Sequence, residues 1–128
     1  MPKKVLIVED EGPILRLLAE QFRKNGFEAL EAKDGEKGLE MAQNSQPDFI
    51  ILDLFMPRMD GVTMLKKLRG SGEWGTEVPV TVITNFLTKV SREEVLAYNI
   101  YSFIVKTDLK LPKLIEAVKN KLFASGNS

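Results

Sequence analysis

Three carboxylates and one lysine stand at the ends of short apolar segments. Glu9 and Asp10 follow the first such segment, and Asp53 ends the third. Lys106 follows the last one. Each of these residues, taken alone, is more often a solvated surface group. If the segments are strands of one parallel sheet, however, the groups meet at one edge, where clustered carboxylates repel one another unless a cation joins them. Oxygen ligands suit Mg²⁺, so the pattern predicts a magnesium site.

The residue types that are absent restrict the chemistry further. The 128 residues include no cysteine and no histidine. This excludes a disulfide framework, a thiolate nucleophile, a Ser-His pair and a histidine-ligated zinc site. Eighteen basic and eighteen acidic residues give no net charge, so neither nucleic acid nor a membrane surface is an expected direct partner. No apolar segment approaches the roughly 20 residues of a membrane span, and we expect a cytoplasmic protein.

Five apolar segments rich in Val and Ile alternate with segments of helical periodicity. The predicted strands are Lys4–Val8, Glu28–Ala32, Phe49–Asp53, Val80–Thr84 and Ser102–Val105. The first and third are continuously apolar, as expected of strands that are covered on both faces. The alternation predicts an α/β fold with a mainly parallel sheet, helices on both faces and right-handed crossovers. Ligands of such sheets bind outside the carboxyl ends of the strands, where the carboxylates and the lysine lie.

Glycine, proline and asparagine residues mark the predicted helix ends. Gly26 fits the cap after the first helix, and Asn99 fits a left-handed cap after the fourth. The second helix is the weakest prediction, because Gly38 interrupts it. The segment Gly70–Gly75, which carries the only tryptophan, is predicted to be a flexible surface loop. Trp74 is expected to cover a nearby apolar edge rather than to contact a partner.

Four segments resemble the receiver domains of two-component response regulators. They are Val8–Glu11, Ile51–Gly61, Val82–Thr84 and Phe103–Lys106. The most specific is the Asp-x-x-Met-Pro-x-Met-Asp-Gly run that begins at Asp53, and the resemblance extends over nearly the whole chain. It implies a doubly wound (βα)5 flavodoxin-like three-layer sandwich, with five parallel strands in the order 2-1-3-4-5. It also implies a receiver domain at residues 1–123, followed by a flexible tail or the start of a linker at 124–128.

The resemblance implies a phosphoacceptor and its metal ligands. Asp53 corresponds to the residue that takes a phosphoryl group from a phosphohistidine of a histidine kinase or a histidine phosphotransfer protein. Asp10 corresponds to a direct Mg²⁺ ligand, together with Asp53 and the backbone carbonyl of Phe55. Glu9 is similar to a second acidic residue that reaches the metal through water. An acyl phosphate adds negative charge to an acidic site, which a bound cation offsets.

The resemblance also implies a switch. Lys106 is expected to pair with Asp53 and then with a phosphoryl oxygen, and the Thr84 hydroxyl to bond the phosphoryl group. Phe103 corresponds to the aromatic residue that turns inward into the space that Thr84 vacates. Such local movements rearrange a distant surface. The expected surface comprises the fourth predicted helix, the fifth strand and the fifth predicted helix, through which the family binds downstream partners or output domains and forms homodimers.

Three residues depart from the family's usual pattern. Thr107 replaces the proline that commonly follows the lysine, so we expect a trans peptide bond there, since a cis bond without proline costs about 2.5–4 kcal/mol. Asn85 is larger than the small residue that usually follows the switch threonine. Phe55 is apolar and cannot assist the attack of water. Asn85 and Phe55 together predict a long-lived phosphoaspartate.

Three other functions compete with the phosphoacceptor. An aspartyl phosphatase of the haloacid-dehalogenase type needs a second aspartate where Phe55 stands, so we expect a switch and not a turnover enzyme. A flavodoxin-like cofactor binder needs a Ser/Thr/Gly-rich loop after the first strand, where Glu9-Asp10-Glu11 would repel a phosphate. A degenerate receiver that binds partners without phosphorylation is the main alternative. It is disfavoured because the acids, Thr84 and Lys106 are all present. The output partner is not identified by these residues.

Overall fold

The computed structural model describes residues 2–85 and 89–123, with side chains described for all of them except residues 89–91. The tail predicted at residues 124–128 lies outside the described residues. The strands are β1 (Lys4–Val8), β2 (Glu28–Ala32), β3 (Phe49–Asp53), β4 (Val80–Thr84) and β5 (Ser102–Val105), and the helices are α1 (Gly12–Lys24), α2 (Gly35–Ser45), α3 (Gly61–Arg69), α4 (Glu73–Glu77), α5 (Lys89–Leu96) and α6 (Leu111–Phe123). In the part of the chain that is described, no helix is long and apolar enough to cross a membrane.

The five strands form one parallel sheet in the order β2-β1-β3-β4-β5. Each strand covers the residues that the apolar segments predicted, and the strand order agrees with the doubly wound fold. Val8 lies beside Leu52 in neighbouring strands, and Asp53 lies beside Ile83. The carboxyl ends of the three central strands are therefore nearly level, which brings the residues that follow them to one edge of the sheet.

Helices cover both faces of the sheet, which gives the three-layer arrangement. Alternate residues of β1 point to opposite faces, so that Val5 and Ile7 belong to one core and Leu6 and Val8 to the other. The first core also contains the buried residues of α1 and α6, and the second contains those of α2, α3 and Val95 of α5. Every residue of β3 and β4 is buried, and for β3 the continuous apolar segment predicted this.

Helix α2 forms although Gly38 made it the weakest of the predicted helices. Gly38 lies in the first half of α2, and a Cβ atom there would come within 2.9 Å of both methyl groups of Val8. The absence of a side chain therefore lets α2 pack close to β1. This close packing offsets the lower helix propensity of glycine.

The prediction of a flexible loop at Gly70–Gly75 is wrong. Residues Glu73–Glu77 form α4, and Gly75 is buried against the end of α3. The Trp74 indole donates a hydrogen bond to the Pro47 carbonyl (3.1 Å) and packs on the second core. Trp74 thus covers an apolar edge, as expected. The loop prediction failed in part because the hydrogen bond between Trp74 and Pro47 joins segments that are distant in sequence, which local composition does not indicate.

Candidate functional site

The predicted acidic residues meet at the carboxyl edge of the sheet. Glu9, Asp10 and Asp53 each present one carboxylate oxygen, and these atoms all lie within 4.8 Å of one another. Glu9 and Asp53 are buried, whereas Asp10 is exposed. A cleft of about 180 Å³ opens here, and it is lined by Asp10, Glu11, Asp53, Phe55, Asn85 and Lys106. The fold thus brings the predicted carboxylates and the lysine into one small site.

Lys106 lies between two buried carboxylates. Its Nζ atom is 2.7 Å from Glu9 Oε1 and 3.4 Å from Asp53 Oδ2. The sequence assigned this lysine to Asp53, but the buried Glu9 is its nearer partner. Glu11 Oε2 lies 3.8 Å from the same ammonium. No role was predicted for Glu11 from the sequence, where its only signal is its place beside the acidic pair.

Burial and mutual repulsion shift the pKa values of this cluster. Burial, together with the charge of Glu9, raises the pKa of Asp53 to about 7, against the opposing effects of Lys106 and the Phe55 amide. Burial also raises the pKa of Glu9. Burial alone would lower the pKa of Lys106, but its hydrogen bond to Glu9 and the neighbouring carboxylate charges outweigh it, and the pKa is raised. The site is therefore short of positive charge.

The donor set of the site fits a hard divalent cation. Glu9 Oε1 is buried, and the positive charge nearest to it, the Lys106 ammonium at 2.7 Å, is shared with Asp53. An oxygen that is desolvated in this way is costly unless a charge approaches it. The grouped ligand atoms are all carboxylate oxygens, which Mg²⁺ prefers to nitrogen or sulfur ligands. The residues present are therefore compatible with Mg²⁺.

The loop after β3 returns closely to the strand that carries Asp53. Asp60 caps α3 by accepting a hydrogen bond from the Thr63 amide, and the Gly61 amide donates to the Leu54 carbonyl (2.8 Å). A Cβ atom on Gly61 would lie 2.3 Å from the Asp53 carbonyl oxygen. Only glycine permits this approach, which explains the Asp-Gly pair that ends the specific motif.

A second anchor, which was not predicted from the sequence, holds the same loop to the start of α2. Arg58 has a positive φ of 68°, and the Met59 amide donates to the Pro57 carbonyl across it (2.8 Å). This tight turn is unfavourable for a residue other than glycine. The Arg58 guanidinium pairs with Asp34 (3.0 Å), which is also the N-cap of α2. The only sequence signal was the Asp-Gly pair at the start of that helix.

The two predicted switch residues lie on neighbouring strands. Thr84 is buried at the end of β4, beside Val105 of β5. Phe103 is half-buried and lines a groove with Arg92 and Leu96. No cis peptide occurs among the described residues, so the bond between Lys106 and Thr107 is trans, as predicted.

Known proteins share the sequence features of this chain. The sequence model of the family described as "Response regulator receiver domain" matches residues 5–119. The polar-differentiation response regulator DivK of Brucella anthropi is 30% identical over 122 residues, which cover 95% of this chain and 98% of that protein. The alkaline phosphatase synthesis transcriptional regulatory protein PhoP of Bacillus subtilis is 41% identical over 69 residues, 54% of this chain and 29% of that regulator.

Solved structures share the fold over nearly the whole chain. The chemotaxis protein CheY4 of Vibrio cholerae superimposes with a TM-score of 0.84 at 26% identity, covering 94% of this chain and 98% of that one. A CheY-like receiver domain protein of Methanospirillum hungatei gives a TM-score of 0.89 at 22% identity, covering 99% and 98%, a likeness that concerns the fold alone. With the match over residues 5–119, these findings establish that the chain belongs to the response regulator receiver domain family.

Proposed function

We propose that Asp53 accepts a phosphoryl group from a phosphohistidine of a histidine kinase or a histidine phosphotransfer protein, in a reaction that requires Mg²⁺. The observation that carries the proposal is the buried Asp53 carboxylate, which lines an open cleft with Lys106 at 3.4 Å and two further acids beside it. The receiver domain family generally acts as a signalling switch rather than as a classical enzyme, which supports the proposal. Residues 1–123 form the receiver unit in this proposal.

The chemistry follows from charge. The Asp53 carboxylate oxygen attacks the phosphorus atom of a phosphohistidine whose other ring nitrogen carries a proton. The bond from phosphorus to the donor imidazole breaks, and the imidazole keeps that proton and leaves as the neutral base. Asp10, Asp53 and the Phe55 carbonyl would hold Mg²⁺, with Glu9 reaching it through water. The ion supplies charge neutralisation for the phosphoryl oxygens. Lys106 lies close enough to Asp53 to offset part of the added charge.

The same proposal includes a switch. Thr84 bonds the phosphoryl group, and Phe103 turns inward from the groove that it lines with Arg92 and Leu96. This movement alters the surface formed by α5, β5 and α6, through which the domain controls a downstream partner or an output domain. Phosphorylation acts in this way when a local charge biases an element with two arrangements.

We further expect a slow loss of the phosphoryl group. The Phe55 ring is half-exposed at the cleft, and Asn85 lines the same cleft. Neither residue is a base that can activate water, and both restrict its approach to Asp53. A phosphoryl half-life of minutes or longer in Mg²⁺ buffer is expected from mass spectrometry. A half-life of seconds contradicts the expectation, and Phe55→Asp should shorten the half-life.

Intact mass after incubation with acetyl phosphate and Mg²⁺ tests the proposal. We expect a gain of about 80 Da that is absent from Asp53→Ala and from a sample with EDTA. If the protein shows no mass gain and calorimetry shows no Mg²⁺ binding, the result would favour a degenerate receiver that binds partners without phosphorylation. Mg²⁺ binding without a mass gain would indicate a blocked site, and Asn85→Ala would then be expected to restore labelling.

A further inference from the structure

The two edges of the sheet differ in their protection. Glu31 of β2 pairs with Arg23 (2.9 Å), and the same guanidinium donates to the Ala29 carbonyl (2.8 Å). Charged side chains and covered backbone groups keep an edge strand from pairing with another chain. β5 is the strand at the opposite edge, and its sequence Ser-Phe-Ile-Val has no charged residue and no proline. The edge of β5 therefore lacks the protection that β2 has.

The outer side of β5 is open in the part of the chain that the structure describes. Its only neighbour in the sheet is β4. Every second residue of a strand directs its backbone N–H and C=O groups to one side, so half of those groups in β5 point away from β4. All four residues are half-buried, whereas every residue of β3 and β4 is buried. The strand thus offers backbone donors and acceptors together with incompletely covered side chains.

One groove lies on each face of this edge strand. The larger, of about 570 Å³, runs between β5 and α6 and includes Ile104 and Leu114. The smaller, of about 330 Å³, runs between β5 and α5 and includes Phe103 and Leu96. An added strand directs alternate side chains to opposite faces, and here each face has a groove to receive them.

The charges around the grooves indicate which charged side chains an added strand would carry. Lys110 and Lys113 line the larger groove and Arg92 lines the smaller, whereas Asp108 is the one acidic residue among the described residues that line them. This basic excess complements acidic side chains. A second copy of the chain would bring the same lysines and arginine together across the interface, so the charges disfavour pairing of β5 with itself.

We propose that the exposed edge of β5 binds an extended acidic segment of a partner protein by strand addition, with alternate apolar side chains in the two grooves. Backbone hydrogen bonds supply affinity in this recognition mode, and the side-chain grooves supply specificity. The inference rests on the partner-binding part of the proposed function and specifies how the partner is bound. Its test requires neither Mg²⁺ nor phosphorylation, so its failure is distinguishable from failure of the phosphoacceptor assay.

The probe is a short capped peptide with four central valines, whose side chains alternate between the two faces, and with glutamates at both ends. It is titrated into isotope-labelled protein and followed by NMR. We expect saturable shifts in β5 and along both grooves, and slower amide exchange in β5. Two further peptides carry N-methyl groups on odd or on even residues. Only one edge of an added strand pairs with β5, so one methylated peptide should lose binding and the other should retain it.

Charge reversal tests the basic grooves. Lys110→Glu with Lys113→Glu should weaken binding of the probe by roughly tenfold or more. Lys66→Glu with Lys67→Glu, a matched change at exposed residues of α3, should leave it unchanged. Equal binding of both methylated peptides, no effect of the groove reversal, or no saturable binding at millimolar peptide would overturn the proposal. Self-association through β5 in sedimentation would also overturn the proposal, because it would show that a second copy of the chain occupies this edge.

Discussion

Lys106 is shared by two buried carboxylates that would otherwise repel each other. Its ammonium is closer to Glu9 (2.7 Å) than to Asp53 (3.4 Å). The Glu9 side chain is fully buried and Asp53 nearly so. Removing one partner of such a cluster leaves an uncompensated charge in a poorly solvated place. The charge of each residue in this site therefore depends on the other two.

The raised pKa of Asp53 predicts a stability that falls as pH rises. The folded-state pKa is about 7 against an ordinary value of 3.8, so between these values the folded carboxyl holds a proton that the unfolded chain has lost. Asn at this position stays neutral. In EDTA, Asp53→Asn should therefore raise the free energy of unfolding relative to the native chain. This increase should be roughly 2 kcal/mol larger at pH 8 than at pH 5.

Urea unfolding at the two pH values measures this difference. The exposed Glu20→Gln on α1 serves as the control and should show no such dependence. An Asp53→Asn gain that is the same at pH 5 and pH 8 would mean that the carboxyl titrates normally.

A double-mutant cycle tests the buried ion pair of Glu9 with Lys106. At pH 8 in EDTA, Lys106→Met should cost roughly 3 kcal/mol, because Glu9 and Asp53 lose the ammonium that offsets their charges and must either stay charged without a partner or take up protons. Adding Glu9→Gln should recover more than about 1 kcal/mol of that loss. The exposed pair of Lys37 with Glu40, at 3.7 Å, is the control and should couple by less than about 0.5 kcal/mol. Strict additivity at the buried pair would show that the two residues do not interact.

At the scale of elements, α3 is placed by contacts between backbones. Gly61 begins the helix directly against the Asp53 carbonyl, and Gly35 begins α2 against the Met59 carbonyl. The loop that joins β3 to α3 is thus held at both of its sides by glycines. Its conformation fixes how Phe55 and Asp60 lie around Asp53, the proposed phosphoacceptor.

Gly61→Ala should displace α3 from the end of β3. Its Cβ atom would meet the Asp53 carbonyl oxygen at 2.3 Å, so we expect a loss of roughly 2–3 kcal/mol and slower labelling by acetyl phosphate. Gly70→Ala is the matched change at the other end of α3, where the nearest atoms are 3.7 Å away, and it should be nearly neutral. Denaturant unfolding of both variants measures the difference. Equal effects would mean that the close approach at Gly61 can relax without cost.

At the scale of the whole molecule, one arginine joins three helix ends. The Arg69 guanidinium donates to the carbonyls of Gly75 and Val78 near the end of α4 and to those of Tyr98 and Asn99 after α5. Arg69 is itself the last residue of α3. Helix C-termini carry partial negative charge, which explains how a half-buried cation is stabilised here by carbonyl groups.

Arg69→Met should destabilise the whole fold by roughly 2–4 kcal/mol, because four carbonyl oxygens lose a charged donor. Arg69→Lys should recover only part of this loss, since an ammonium lacks the planar fork that reaches separate acceptors. Thermal unfolding, with the exposed Arg16→Met as a control, checks the order of the variants. Equal costs for Met and Lys would show that the fork geometry is unimportant.

The sequence by itself determined the strands and the residues at their ends. The continuous apolar segments of β1 and β3 are typical of strands that are covered on both faces, and the parallel order then requires Glu9, Asp10, Asp53 and Lys106 to meet. The specific motif after Asp53 and the matching segments identified the family. These features depend on local pattern and on topology, both of which a single sequence records.

Only the tertiary structure decided the distances within that arrangement. It made Glu9 the nearer partner of Lys106, paired Arg58 with Asp34 and ordered Glu73–Glu77 as a helix. It also showed why Gly38 and Gly61 are glycines, because their missing side chains face backbone or methyl groups from other elements. Such contacts join residues far apart in the chain. They depend on how closely helices pack on the sheet, which hydrophobic pattern and local propensity do not specify.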